Sequence, residues 1–204
     1  MRDAILSGRF ALCAALSRYT ETSHSPESLM SLAANLEVQV IGVPTGVQDY
    51  RPAMYGGVAA IEMGPAGVTR TKLNVDPREL ARRIIIAYTG QTRNSGINNW
   101  EITKKALDGD KGVIRNLKTI SNCALKMYKL LKKGRITGIA PVFDREWQAR
   151  KQLAPTISTP QMEKLIRSAI KNGAHAAKVC GAGGGGCLAF IVPPEKKQSW
   201  KMQF

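Results

Sequence analysis

Six residues near the C-terminus of this chain, Gly181-Ala182-Gly183-Gly184-Gly185-Gly186, include five glycines. Apolar stretches flank them: Val179–Cys180 before and Cys187–Val192 after, each reading as a strand. A plain hairpin turn needs one or two glycines. Five of them carry a large conformational-entropy cost, and what they offer in return is positive φ and a backbone that a ligand can approach closely. Clustered backbone N–H groups of that kind bind anions, phosphate above all. The loop therefore reads as a phosphate cradle between two strands.

It is not either of two common cradles. Residues 181–186 satisfy GxGxxG, but the dinucleotide fingerprint needs a helix after the glycines and an acidic residue about 20 positions on. Here a strand follows. The Walker pattern fails too, because Cys187 stands where Lys-Ser/Thr is required.

Charge points the same way as the loop. Thirty basic against 15 acidic residues give a net charge of +15, which favours anionic partners such as nucleic acid, phosphorylated metabolites or an acidic surface. Few aromatics interleave with the basic residues, so a single-strand nucleic-acid groove is not expected. Lys126, Lys129 and Lys133 recur at helical spacing opposite an apolar stripe and read as a solvated face. With 44% hydrophobic residues in 204, the chain can bury a core in one or two units. Cys13, Cys123, Cys180 and Cys187 form no CxxC, so they read as small buried hydrophobes in a reducing compartment, with no metal and no disulfide between Cys180 and Cys187. Phe10–Leu16 is too short and too close to charge for a signal peptide or membrane span.

In chain order, Ile5–Tyr19 reads as a helix with Leu6, Phe10, Cys13 and Leu16 along one stripe. It starts without a cap or a preceding strand, as though the chain began in the middle of an architecture. Ser25-Pro26-Glu27 opens a second helix, carrying Leu29, Leu32, Ala33 and Leu36 inward to about Val38. The loop Val40–Tyr50 follows, with Pro44 and two glycines, and delivers Asp49 from an apolar setting. A carboxylate placed so is a candidate general base. Glu37 lies twelve positions earlier and is a candidate for Mg²⁺. The plain alternatives are a helix N-cap for Asp49 and a solvated helix position for Glu37.

Val58–Met63 and Val68–Leu73 predict a hairpin across a four-residue turn, Gly64–Gly67. Ile84–Tyr88 predicts a buried strand, followed by a polar loop, Thr89–Gly96, that could offer hydroxyls and an arginine to an anion. Helices follow at about Ile97–Leu107, then through Val113, Leu117, Ile120, Ala124, Met127 and Leu131 to a stop at Gly134, then at Phe143–Leu153 and Gln161–Lys171.

Together these stretches resemble the GHMP kinases, the superfamily of galactokinase, homoserine kinase, mevalonate kinase and phosphomevalonate kinase. Lys178–Cys187 is similar to that family's glycine-rich GAGGGG motif between two strands. Val43-Pro44-Thr45-Gly46-Val47-Gln48-Asp49, with Tyr55-Gly56-Gly57 after it, resembles the segment bearing the proposed catalytic aspartate. Tyr88–Ser95 is similar to a segment of the bacterial heptose-7-phosphate kinases, so the subgroup implied is that one with the galactokinase-like proteins. The resemblance runs from about Phe10 to Pro194.

The resemblance implies an α+β fold, with residues 1–74 a remnant of the N-terminal GHMP lobe and 75–204 the C-terminal α/β two-layer domain. It implies transfer of the γ-phosphoryl group of ATP, with Mg²⁺, to a hydroxyl of a small-molecule sugar or sugar phosphate, by a cytoplasmic enzyme without a membrane or nucleic-acid partner. By carry-over Asp49 is the catalytic base, Glu37 the metal ligand, Thr45 and Gly46 lie near substrate, and Gly181, Ala182, Gly183, Gly184, Gly185 and Gly186 hold the phosphate region. The family's nucleotide loop, of the type PxxxGLGSSA, has no counterpart here, and Met1–Gly8 stands in its place. The expectation is therefore of a chain truncated at both ends and weakly active alone, the alternative being a non-catalytic anion-binding module derived from such a kinase.

Overall fold

The computed structural model describes residues 2–42, 46–91 and 95–200. The chain forms two compact units, Met1–Asn74 and Val75–Phe204. Both mix helix and antiparallel sheet, in keeping with the α+β expectation.

The first unit packs helix α1 (Arg2–Tyr19) and helix α2 (Pro26–Ile41) with a short helix α3 (Tyr50–Tyr55), and adds the hairpin β1 (Ala59–Gly64) and β2 (Gly67–Lys72). Helix α2 begins as its sequence dictates: the Ser25 hydroxyl accepts from the Ser28 N–H at 3.2 Å, and Pro26 fills the first helical position. Gly42 ends it at φ +67°, its N–H donating to Val38 O. The hairpin is tighter than expected. Gly64 pairs with Gly67, so the turn itself is Pro65-Ala66, and Gly67 absorbs the strain at φ +113°.

The inward face of these helices needs correction. Cys13, Met30, Ala33 and Tyr50 form the core, with Leu29, Ala34, Val47 and Met54 half-buried beside it. Leu16, Leu32 and Leu36 are exposed instead of inward. Leu32, Leu36 and Val40 fall four apart, on a different face from Met30, Ala33 and Glu37. A helix that is apolar over two faces leaves periodicity unable to choose between them. Leu6 and Phe10 lie outside the described side chains.

In the second unit, β3 (Ile84–Tyr88), β4 (Ala176–Val179) and β5 (Cys187–Ile191) make an antiparallel sheet in the order β3-β5-β4. One face, with Ile85 and Ala177 flanking Phe190, and Ala87 and Val179 flanking Leu188, meets Trp147, Leu153, Ile157, Met162, Ile166 and Ala169. The other face brings Ile84, Ile191 and Ala176 against Ile139 and Ala140. Strand β3 is at the edge, not buried: Ile86 and Tyr88 are each 57% exposed. Its run of isoleucines resembles a central strand, but only neighbours on both sides and both faces would make it one.

Helix α4 (Pro77–Ala81), capped by Asp76, leads into β3; helices α5 (Ser95–Leu107) and α6 (Lys111–Lys132) follow it. Asp110 caps α6, accepting from the Val113 N–H at 2.9 Å. Val113, Asn116 and Cys123 face inward, while Lys126, Lys129 and Lys133 are exposed as the spacing predicts; Ala124, expected in the stripe, is exposed too. Helix α7 (Ile139–Arg150) starts before its expected bound, with Pro141 in a first turn where the missing N–H costs nothing. Helix α8 (Pro160–Lys171) is capped by Thr159 and buries Met162, Ile166 and Ala169 along one stripe. A four-residue helix, α9 (Lys197–Trp200), sets Trp200 6.2 Å from the Phe190 ring.

Candidate functional site

The glycine loop joins β4 to β5, and its conformation explains its composition. Gly181, Gly183, Gly184, Gly185 and Gly186 all have positive φ, from +73° to +151°. Such angles are open to glycine and strained for almost every other residue. Gly183 has a second reason: a Cβ there would lie 2.5 Å from the Ile157 carbonyl oxygen.

Hydrogen bonds pin the loop from outside. Gly184 N–H donates to Ile157 O at 3.0 Å, and Gly186 N–H to Gln91 O at 2.8 Å. Gly186 O accepts from both the N–H and the hydroxyl of Thr89, each at 2.8 Å. Gln161 Nε2 then donates to Thr89 O at 3.0 Å. The N–H groups of Gly181, Ala182, Gly183 and Gly185 find no acceptor among the described residues. They are the donors that an anion would take.

Thr89, Gln91, Ile157 and Gln161 thus hold the glycine loop, a part that sequence reasoning did not give them. The loop after Ile84–Tyr88 was expected to offer hydroxyls to a ligand. Instead the Thr89 hydroxyl, 3% exposed as a residue, is committed to the glycine loop's backbone. The one sequence signal was a polar residue closing an apolar strand. Thr92, Arg93 and Asn94 of that segment lie outside the described residues.

Helix α7 and strand β4 share a partly buried charge cluster around Glu146. Lys178 Nζ is 2.5 Å from Glu146 Oε2, and Arg150 Nε donates to Glu146 Oε1 at 2.6 Å. Burial pushes the Glu146 carboxyl upward, but Lys178 and Arg150 outweigh it and hold it below the usual glutamate range. Burial lowers the Lys178 ammonium, with Glu146 offsetting part of that. Lys178 also lies over the Phe143 ring, 5.4 Å from its centre.

Glu37 and Asp49 belong to the first unit. Glu37 is 8% exposed, and its carboxylate accepts a short hydrogen bond from the Tyr50 hydroxyl. It is not the solvated helix residue of the plain alternative. Asp49, next to Tyr50 in sequence, is half-buried and stands at the N-cap position of α3, yet its side chain does not cap that helix. The plain alternative for Asp49 is therefore right about position and wrong about the hydrogen bond. Tyr50 ties the two acids to one small region. Gly46 is exposed, with the Gln48 side chain over its Cα; Thr45 lies outside the described residues.

Among the described residues no group of three or more His, Cys, Asp or Glu could hold a metal ion, and no helix is long and apolar enough to cross a membrane.

Residues 127–199 match the family model described as GHMP kinases C terminal. The chain is 28% identical over 177 residues to the D-glycero-alpha-D-manno-heptose 7-phosphate kinase of Campylobacter jejuni, covering 83% of this chain and 50% of that protein. Its fold is similar to that of L. major mevalonate kinase solved with R-mevalonate, at a TM-score of 0.78 and 18% identity, over 98% of this chain and 60% of that one. Lactococcus lactis galactokinase, solved with galactose, gives a TM-score of 0.72 at 17% identity, over 95% and 58%. The chain spans about half the length of the curated heptose kinase.

Proposed function

We propose that this GHMP-kinase-like chain, with that family's C-terminal domain in its second unit, acts in phosphoryl transfer from ATP to a hydroxyl of a sugar or sugar phosphate. The observation that carries the reading is the glycine loop. Five positive-φ glycines, held by bonds to Thr89, Gln91 and Ile157, leave the N–H groups of Gly181, Ala182, Gly183 and Gly185 without an acceptor among the described residues. Phosphoryl transfer needs little covalent help from protein; it needs positioning and charge stabilisation, which such donors supply without reorganising.

On the first unit, Asp49 orients the acceptor hydroxyl and takes its proton. Glu37 fits Mg²⁺ in donor type. Magnesium ordinarily uses one or two carboxylates and completes its shell with phosphate oxygens and water. When bound, the ion neutralises charge on the transferring phosphate. A cytoplasmic place agrees with the reading.

The test is Asp49→Asn, assayed with Mg²⁺-ATP and a heptose phosphate. Its expected cost is about 10²-fold in turnover, the lower scale of a positioned acid–base group. Near-normal turnover would remove Asp49 from that role. The same loop would also serve a non-catalytic anion-binding module. Thermal shifts with sugar phosphate, ATP and DNA at two salt concentrations separate the two: Mg²⁺-dependent ATP stabilisation belongs to the kinase, Mg²⁺-independent, salt-sensitive binding to the module.

A further inference from the structure

The sequence reads Cys180 and Cys187 as inert small hydrophobes; the register of the sheet places them otherwise. Val179 pairs with Leu188, so Cys180 stands directly opposite Cys187 across the mouth of the glycine loop. The Cys180 N–H donates to Cys187 O at 2.8 Å, which fixes them as a facing pair at a hydrogen-bonded site. Opposed residues at such a site have Cα atoms about 5.5 Å apart, inside the roughly 4.4–6.8 Å span that a disulfide bridges. Both side chains leave the same face of the sheet. Both are half-buried, whereas Cys13 and Cys123 are buried.

We infer that Cys180 and Cys187 form a reversible disulfide staple at the base of the glycine loop, made by exchange with a small-molecule disulfide of the glutathione type. Lys178 lies two residues before Cys180 on the same face. Either thiol can enter first; with Cys180 as the entry point, Cys187 is the resolving thiol.

The Cys180 thiolate attacks one sulfur of oxidised glutathione; the old S–S bond breaks and one glutathione leaves as thiolate. Cys187, after losing its proton, attacks the Cys180 sulfur and expels the second glutathione. Two cysteine thiols are oxidised, one disulfide is reduced to two thiols, and the two protons end on glutathione. The ring so closed is short and its sulfurs are reachable, the properties of a labile disulfide rather than a structural one. It would tie together the two strand ends from which the phosphate-binding N–H groups are hung. Whether the chain is a kinase or a binding module does not enter this argument, so its failure leaves the proposed function standing.

The whole chain, native and reduced, is equilibrated with oxidised glutathione, alkylated after acid quench and unfolding, and digested with trypsin. Cleavage after Lys178 and Lys196 releases Val179–Lys196, which holds both thiols in one peptide. The expected result is that peptide lighter by two hydrogens and unalkylated, with Cys13 and Cys123 fully alkylated, and the mass restored by dithiothreitol. In Cys187→Ser the same treatment should strand a glutathione on Cys180. A native peptide bearing two alkyl groups, or a stable glutathione on Cys180 of the unsubstituted chain, overturns the inference. So does an internal link that forms only in denaturant.

Discussion

The two units treat their apolar residues differently. In Val75–Phe204 the sheet is a partition: Trp147, Ile157, Met162, Leu188 and Phe190 are all nearly inaccessible, and the glycine loop hangs from the strands they support. In Met1–Asn74 the described core is Cys13, Met30, Ala33 and Tyr50, while Leu12, Leu16, Leu36 and Val40 are between 44% and 82% exposed. Two residues of the small core face, Tyr50 and the buried Glu37, also belong to the candidate chemistry. Among the described residues, the second unit thus shows more hydrophobic packing around its loop than the first shows around its acids. Stability per unit follows apolar area buried, so the same kind of substitution should cost very different amounts in the two.

The sharpest break is Trp147→Ala. It empties a site that is 1% exposed, and a loss of about 3–5 kcal/mol is expected in denaturant unfolding of the second unit. Gly183→Ala comes next. At φ +84°, with a Cβ against the Ile157 carbonyl, it should cost about 1–3 kcal/mol and loosen the loop, read as faster amide exchange over residues 181–186. A smaller effect is expected from Glu146. Its folded carboxyl titrates below its unfolded value, so the unfolded chain binds more protons as the medium turns acid. The stability Glu146 contributes is therefore complete above the ordinary glutamate range and lost as pH falls through its lowered folded value. Melting between neutral pH and pH about 3 should show a shallower acid slope in Glu146→Gln than in the unsubstituted chain. An equal slope would mean that other carboxylates govern the acid limb. Smallest of all is Leu36→Ala on the first unit, expected within about 0.5 kcal/mol of neutral because the side chain is already 44% exposed. A cost like that of Trp147→Ala would erase the contrast between the units.

Much of this architecture is legible in the residues. Ser25-Pro26, Asp110 and Thr159-Pro160 mark helix starts because capping is local chemistry, settled within three residues. Strand β5 follows from the apolar run Cys187–Val192, whereas β4 (Ala176–Val179) begins before the expected Val179–Cys180 and has one β-branched residue; the loop's own conformation follows from five residues without a Cβ. The aspartate segment could be found because its residue types and order resemble a family.

Other features lie beyond local pattern. The choice of Met30 and Ala33 over Leu32 and Leu36 as the inward face depends on where α1 and α3 pack, and Ile86 is exposed because β3 has a neighbour on one side only. Thr89 closing on Gly186, 97 positions away, and Gln161 closing on Thr89, 72 away, depend on topology alone. The facing of Cys180 and Cys187 is similar in kind: the sequence shows both flanking the glycines, and only the strand register sets one opposite the other. Caps, turns and glycine conformations were determined by the sequence itself, since their energies arise between near neighbours. Which face is buried, which hydroxyl is committed and which thiols meet were decided by tertiary structure, because those energies arise only when distant segments exclude water together.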